Sequence, residues 1–288
     1  MATELEIVNM GLLRAGVEPI TALTEDTVRA RAANAAWPIA RRQVLRSHPW
    51  NCATRKRNLA AAYSFQAVNS HRPVWEYAYS YRLPTDYLRM LEVDTDPDWR
   101  IEIAPTDRIL VGTTYDASYP ERQTSTTGRI TVTTAGAHGL TSGDYVYLPD
   151  ATESDLEGYI SEIEVLGATS FALLDFPSDE WVTDGSDSAT SSFYEVVFSR
   201  ALVTDLGPRA KVTYLFDQTD AEVFDPSLAY ALALRLACDV VEKLTANAQK
   251  RQLLLQEYNV ALQEAMIDDG EEQSAPKFED DTWITSRY

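Results

Sequence analysis

The stretch Thr24–Arg57, TEDTVRARAANAAWPIARRQVLRSHPWNCATRKR, decides how the rest of the chain is read. Thr24 offers the hydroxyl of a helix N-cap, and Glu25 and Asp26 put negative charge at the positive end of the helix dipole. Val28, Ala32, Ala35, Ala36, Ile39, Ala40, Val44 and Leu45 recur at three- and four-residue spacings, which predicts one apolar face. Pro38 removes one backbone hydrogen bond and predicts a kink, while Pro49 predicts the helix end. The charge here has one sign: from Thr27 to Trp75 there are nine Lys or Arg and no Asp or Glu. The whole chain has a formal net charge of -19, so the residues outside this window carry -28. Such a separation points to a chain that meets copies of itself or an oppositely charged partner. Arg29, Arg31, Arg41, Arg42, Arg46, Arg55, Lys56 and Arg57 are the candidate residues of that basic face. A C-terminally basic amphipathic helix with a solvated face explains the same residues without a partner.

Working outward, the N-terminal side opens on a capping box, Thr3 with Glu6, and Gly16 stands where a C-terminal cap belongs. Leu5, Val8, Leu12 and Ala15 give this first helix a stripe to bury, and the short link Val17–Leu23 predicts that it pairs with the second as a hairpin. After Pro49 the period changes. Trp75, Tyr77, Tyr79 and Tyr81 stand two apart on one face of a strand, and further strands are predicted at Tyr87–Val93, Arg100–Ile103 and Arg108–Val111. Around Thr124 the composition shifts: Ile130–Ser199 holds thirteen Asp or Glu and no Lys or Arg. Ile130 and Val132, Tyr145 and Tyr147, Ile163 and Val165, and Phe171 and Leu173 alternate between glycine-containing turns, which predicts a small all-β module with a polar return linker after Trp181.

Strands at Phe193–Phe198 and Lys211–Phe216 return to the first β region. Asp225 and Pro226 then start a helix whose Leu228, Ala231, Leu232, Leu236, Val240 and Val241 leave only a narrow polar stripe, so it is read as buried. A more amphipathic helix follows over Leu253–Met266. From Asp268 on, seven acidic residues face only Lys277 and Arg287, yet the chain ends in Trp283, Ile284 and Tyr288, which reads as a docking peptide. The fold class is therefore α+β. An antiparallel-type helical bundle is drawn from both chain ends, with a β-rich region and an inserted all-β module. Residues 1-123 and 193-267 form a discontinuous core, 124-192 the insertion and 268-288 the acidic tail.

The composition, 45% hydrophobic and 24% charged, is that of an ordinary globular chain, and no run reaches the roughly 20 apolar residues of a membrane span. The acidic start MATELEIV is not a secretory signal, and two isolated cysteines, Cys52 and Cys238, point to a reducing compartment. The chain lacks GxxxxGK[ST], GxGxxG, GxSxG, HExxH and CxxC, and His48, His71 and His138 are dispersed, so no enzyme, cofactor or metal centre is expected. Asp184 and Asp187 lack the spacing of a calcium loop and read as a solvated acidic loop.

Five segments carry a resemblance. They are the opening helix through LLRAGVEPI, then RRQVLRSHPWNCATRKRNLA, WEYAYSYRLPTDYLRMLEV, VTYLFDQTDAEVFDPSLAYALALRLACDVVEKLT and the final DDTWITSRY. With them the chain resembles the tail tubular protein A family, the adaptor or gatekeeper proteins of short-tailed phages, over roughly Met1–Pro120 and Phe193–Tyr288. The HPWN and FDPSLAYALALRLA blocks are the specific parts, while the HGLTSGD segment looks like a small β-barrel module spliced into phage structural proteins. The resemblance implies a virion protein assembled in the bacterial cytoplasm. It would form a homo-oligomeric ring, a dodecamer, connecting portal to tail nozzle, with tail fibres as further partners and genomic DNA passing through without sequence-specific binding during ejection. Trp283, Ile284 and Tyr288 would dock on the portal, and the basic residues would meet a neighbour or the portal. Two other readings remain open: glycan or host-receptor binding through the inserted module, and nucleic-acid binding through the basic 29-72 segment, which net charge -19 disfavours.

Overall fold

Local hydrogen bonding sets the helix ends. The computed structural model describes residues 2–64, 77–94, 98–112, 115–118, 130–148, 159–174, 186–189 and 192–272, and every structural statement below concerns these. Helix α1 (Glu4–Ala15) has the full capping box between Thr3 and Glu6 and ends on Gly16 at φ 79°, a left-handed conformation open to glycine. Helix α2 runs over Val28–Ser47 with Pro38 inside it, and its N-cap is Thr27 rather than Thr24. The carboxylate of Glu25 accepts instead from the amide and hydroxyl of Thr21 at 3.0 and 3.2 Å, which closes a turn ahead of the helix.

The strands follow as β1 (Thr54–Ala60), β2 (Tyr63–Ser64), β3 (Tyr79–Arg82), β4 (Tyr87–Val93), β5 (Trp99–Gly112), β6 (Tyr115–Ser118) and β7 (Thr131–Thr134). They continue as β8 (Tyr145–Leu148), β9 (Tyr159–Gly167), β10 (Ser170–Leu173), β11 (Ser186–Ala189), β12 (Phe193–Thr204) and β13 (Arg209–Phe216). Helices α3 (Pro226–Thr245) and α4 (Ala248–Glu271) close the described chain, so the architecture is mixed α+β with antiparallel strand pairing. Two compact units divide it: a helical unit of Met1–Lys56, Thr85–Glu92 and Thr213–Tyr288, and a sheet unit of Arg57–Pro84 and Val93–Val212. The three strands in which the assignment changes, β1, β13 and β4, form a sheet of their own in that order.

In the helical unit α1, α2 and α4 all pack on α3. Asp225 caps α3 by accepting from Ser227 N, Pro226 occupies the first turn, and the aliphatic side chains from Leu228 to Val241 are buried, as the pattern predicted. One core cluster gathers Ile7, Leu12, Trp37, Leu45, Trp50, Leu232, Leu236 and Tyr258 among others. Gly11 permits the closest approach, since a Cβ there would lie 2.8 Å from the Ala233 carbonyl oxygen. The predicted face of α2 is buried in part: Ala32, Ala40, Val44 and Leu45 face the core together with Ala30, Ala33 and Trp37, while Val28, Ala35 and Ile39 face solvent. Burying the indole of Trp37 removes more apolar surface from water than burying Val28 or Ile39, and the small Ala30 and Ala33 let a neighbouring helix come close. Helix α4 starts earlier and ends later than the pattern over Leu253–Met266, so Asp268 to Glu271 are helical rather than tail.

In the sheet unit the strand order is β11-β6-β7-β10-β9-β8-β12-β3-β2, with β5 also paired along β12. The two strands predicted around Pro105 are one. The register against β12 shifts between Val197 and Phe198, and this bulge absorbs Pro105 and Thr106, whose hydroxyl lies 2.8 Å from that of Ser199. Three smaller clusters fill the unit, the largest around Ile130, Val132, Val146, Leu148, Ile163, Phe171 and Phe193. On β8, Val146 and Leu148 enter that cluster while Tyr145 and Tyr147 pack with Tyr63, Ile160 and Val196 on the other face. Of the predicted aromatic strand, Tyr79 and Tyr81 lie in β3, Tyr77 just precedes it, and Trp75 lies outside the described residues. The described strands from 124–192 share a sheet with β12 and a core with Val111 and Phe193, so the compact units divide the chain elsewhere than the composition does.

Candidate interaction surface

The basic residues singled out in the sequence fall into three environments. Arg41 is buried and makes a two-point contact with Asp217, Nε to Oδ1 at 2.9 Å and Nη2 to Oδ2 at 3.0 Å, and Arg42 reaches the same carboxylate at 3.1 Å. Two guanidinium groups on one carboxylate hold the end of β13 against α2 with geometry that a lysine could not supply. Arg29 pairs with Glu18 at 2.8 Å and Glu25 at 3.7 Å, and Arg31 lies 3.7 Å from Asp26. Arg46 donates to the Leu88 carbonyl at 3.1 Å, while Arg55 pairs with Asp86 at 2.6 Å and stacks over the Phe216 ring. Lys56 and Arg57, exposed on β1, have no ion pair among the described residues. The window is thus not a uniform free patch: Arg41 is an internal tie, Arg42, Arg46 and Arg55 are half engaged, and Arg31, Lys56 and Arg57 project outward. Trp283, Ile284 and Tyr288 lie outside the described residues.

Sequence reasoning missed the acidic counterpart. From Glu257 to Glu272 helix α4 carries six acidic residues and no Lys or Arg. Asp269 alone among them is buried; its Oδ1 accepts from Asn51 N at 2.9 Å, its carbonyl from Asn51 Nδ2 at 2.9 Å, and Oδ2 lies 3.3 Å from His48 Nε2. His48 packs edge-on against Trp50, whose Nε1 donates to the Val44 carbonyl at 3.0 Å. The HPWN segment is therefore a clasp that ties the end of α2 to the end of α4. Beside it lies a cavity of about 490 Å³, entirely within the helical unit, lined by Met10, Trp50, Cys52, Phe224, Leu228 and Asp269 among others. Its acids do not converge: Asp225 is committed to its cap and Asp269 to Asn51, and no metal-binding group of His, Cys, Asp and Glu occurs among the described residues.

Burial, reinforced by the charges of Asp269, Asp225 and Glu272, pushes the Cys52 thiol up to about 11, and burial does the same to Cys238. Both thiols are protonated at neutral pH and poor nucleophiles. His138 is held in place by Leu140 N, which donates to Nδ1 at 3.0 Å, and by Gly167 O, 3.0 Å from Nε2, with its ring edge-on to Phe171. Asp184 lies outside the described residues, and Asp187 sits in β11. No helix is long and apolar enough to cross a membrane among the described residues.

The remaining surface feature is apolar. Leu253, Val260 and Ile267 are exposed by 61%, 56% and 61% on α4, and Val28 and Ile39 by 62% and 55% on α2. Leu254, Tyr258, Ala261 and Ala265 form the buried stripe of α4, so that helix has two separate apolar lines, one of them left exposed among the described residues. Exposed aliphatic lines of this kind are the type of surface that protein contacts cover. Neither a protein-family model nor a curated protein matches this chain.

Proposed function

We propose that the protein is a non-catalytic structural component of a phage virion, an adaptor ring between portal and tail nozzle that forms part of the DNA channel. In this reading the four helices act as an antiparallel-type bundle drawn from both chain ends, and residues 124–192 are an all-β insertion. One observation carries it: the helical unit exposes aliphatic side chains on helices whose other faces are already buried in a complete core. Surface of this kind in an otherwise well-packed unit is what subunit contact covers. The motif residues support the same reading, since HPWN and FDPS have structural tasks, the clasp to Asp269 and the cap of α3, and none of them needs a substrate. A net charge of -19 suits a channel wall that lets DNA slide, because a net acidic chain repels phosphates overall.

Mass photometry of the purified protein, alone and with a portal, tests the proposal. A closed ring that binds the portal is the expected result, and a chain that stays monomeric and ignores the portal refutes it. Assembly is expected to weaken with salt, since exposed charge pairs lose range as the Debye length falls to about 3 Å at 1 M. The tail of the ring reading is tested separately: deleting Glu279–Tyr288, or Trp283→Ala, is expected to weaken portal binding while leaving assembly unchanged.

A further inference from the structure

Two helical faces of the helical unit are complementary in both shape of pattern and sign of charge. On α4, Leu253, Glu257, Val260, Glu264, Ile267 and Glu271 succeed one another at four- and three-residue steps, so they form one line along the helix, and all six are exposed. On α2 the exposed line at the same steps is Val28, Arg31, Ala35, Ile39, Arg42 and Arg46. Each line covers nineteen residues, eighteen steps from first to last, or about 27 Å at 1.5 Å per residue. The α4 line alternates aliphatic with acidic groups, and the α2 line combines Val28, Ala35 and Ile39 with three arginines. Both helices turn their opposite sides to α3, so neither line is covered by the described chain.

We propose that the α2 line of one copy packs on the α4 line of the next, a head-to-tail contact that repeats around an assembly. This deepens, and rests on, the ring reading. The occupant is a second copy because the chain itself supplies both halves of the match: α2 carries five Arg and no acid, and α4 from Glu257 onward six acids and no base. Among the described residues Glu257 and Glu264 pair with no cation, whereas Arg31 and Arg42 are 67% and 56% exposed and have only solvent-facing or shared partners. The chain's own segment 273–288 suits the α4 line poorly, since Glu279, Asp280 and Asp281 would meet Glu257 and Glu264. The proposed contact is head to tail, α2 of each copy on α4 of the next, and not the reciprocal α2–α4 pair of a twofold dimer; heterologous contacts of this kind close into rings or extend as filaments.

The test uses two full-length variants and their mixture. The first carries Arg31→Glu with Ile39→Glu on α2, and the second Glu257→Arg with Glu264→Arg on α4. All four positions are exposed, and Val28→Asp is a second α2 variant should the first unfold by circular dichroism. Analytical ultracentrifugation is expected to show assembled wild type, each variant as a monomer of about 32.2 kDa, and an equimolar mixture as particles of two or more chains, since one intact α2 meets one intact α4. Variants that assemble like the wild type overturn this contact while leaving the ring reading standing. A mixture that stays monomeric, a wild type that stops at a dimer, or assembly that appears only after residues 273–288 are removed also overturns it. A wild type that is monomeric alone and with a portal removes the ring reading as well.

Discussion

The helical unit concentrates its apolar side chains in one cluster around α3, whereas the sheet unit distributes them over three smaller clusters on both faces of its strands. The difference follows from geometry. A central helix presents apolar surface all round, and α1, α2 and α4 can cover it together; a curled sheet has two faces, and each stretch of face needs its own filling. Surplus apolar surface consequently has different meanings in the two. Once α3 is covered, aliphatic groups on the far sides of α2 and α4 contribute nothing to the fold of a single chain and are free to serve assembly.

The largest expected effect strikes the single core. Trp50 is 1% exposed and bonded through Nε1 to the Val44 carbonyl, so Trp50→Ala should cost about 3–5 kcal/mol, as for other buried aromatic truncations. Because Cys52 and Cys238 both belong to the helical unit, thiol labelling under native conditions should accelerate sharply. A change below about 1 kcal/mol, set against that range, would break the single-core account. Phe193→Ala is the matching test in the sheet unit, where the ring lies over Gly112 within the largest cluster. A loss of about 3 kcal/mol is expected there, at the lower end because the cluster is smaller, with thiol protection unchanged.

Alkaline pH should separate the units by onset. In the helical unit the Cys52 and Cys238 thiols are raised from 9.0 to about 11 on folding, so the folded state holds their protons more tightly than the unfolded state. Their contribution is complete below pH 9.0 and is lost as pH rises through about 11. In the sheet unit burial raises Tyr63 and Tyr81 from 10.0 to about 12, so the same loss begins later. Thermal melts at rising pH should show helical signal weakening first, and Cys238→Ala should delay it; simultaneous onset in both units would contradict the assignment. The smallest effect is expected at Arg251 and Glu242, a pair 2.9 Å apart with both side chains more than half exposed. Glu242→Gln should change the melting free energy by less than about 0.5 kcal/mol, and a larger shift would mean that surface pairs, and not the α3 core, sustain the helical unit.

Legibility varied with the range of the interaction. The box of Thr3 and Glu6, the Gly16 terminus and the Asp225–Pro226 start were readable because each depends on groups within a few residues. The Thr24 cap failed because Thr21, outside the window considered, engages Glu25. The continuity of β5 through Pro105 was hidden, since the bulge that accommodates the proline depends on β12, far away in sequence. Of the candidate site, the charge of the basic window was legible, but not that Arg41 and Arg42 share Asp217, which lies 176 residues from Arg41. The acidic half was not legible as a face although its signal was present: Glu257, Glu264 and Glu271 stand seven apart, alternating with Leu253, Val260 and Ile267.

By itself, then, the sequence determined the mixed α+β class, the N-terminal caps of α1 and α3, the buried character of α3 and the separation of charge, because local hydrogen bonds, hydrophobic content and sign of charge are properties of neighbouring residues. Only the tertiary structure decided which apolar line of α2 and α4 goes inside. Each helix carries aliphatic residues on two sides, and the choice rests on the volume and shape of the surface that α3 offers: Trp37 and the alanines beside it fit it on α2, Leu254 and Tyr258 fit it on α4, and Ile39 and Ile267 are left facing outward.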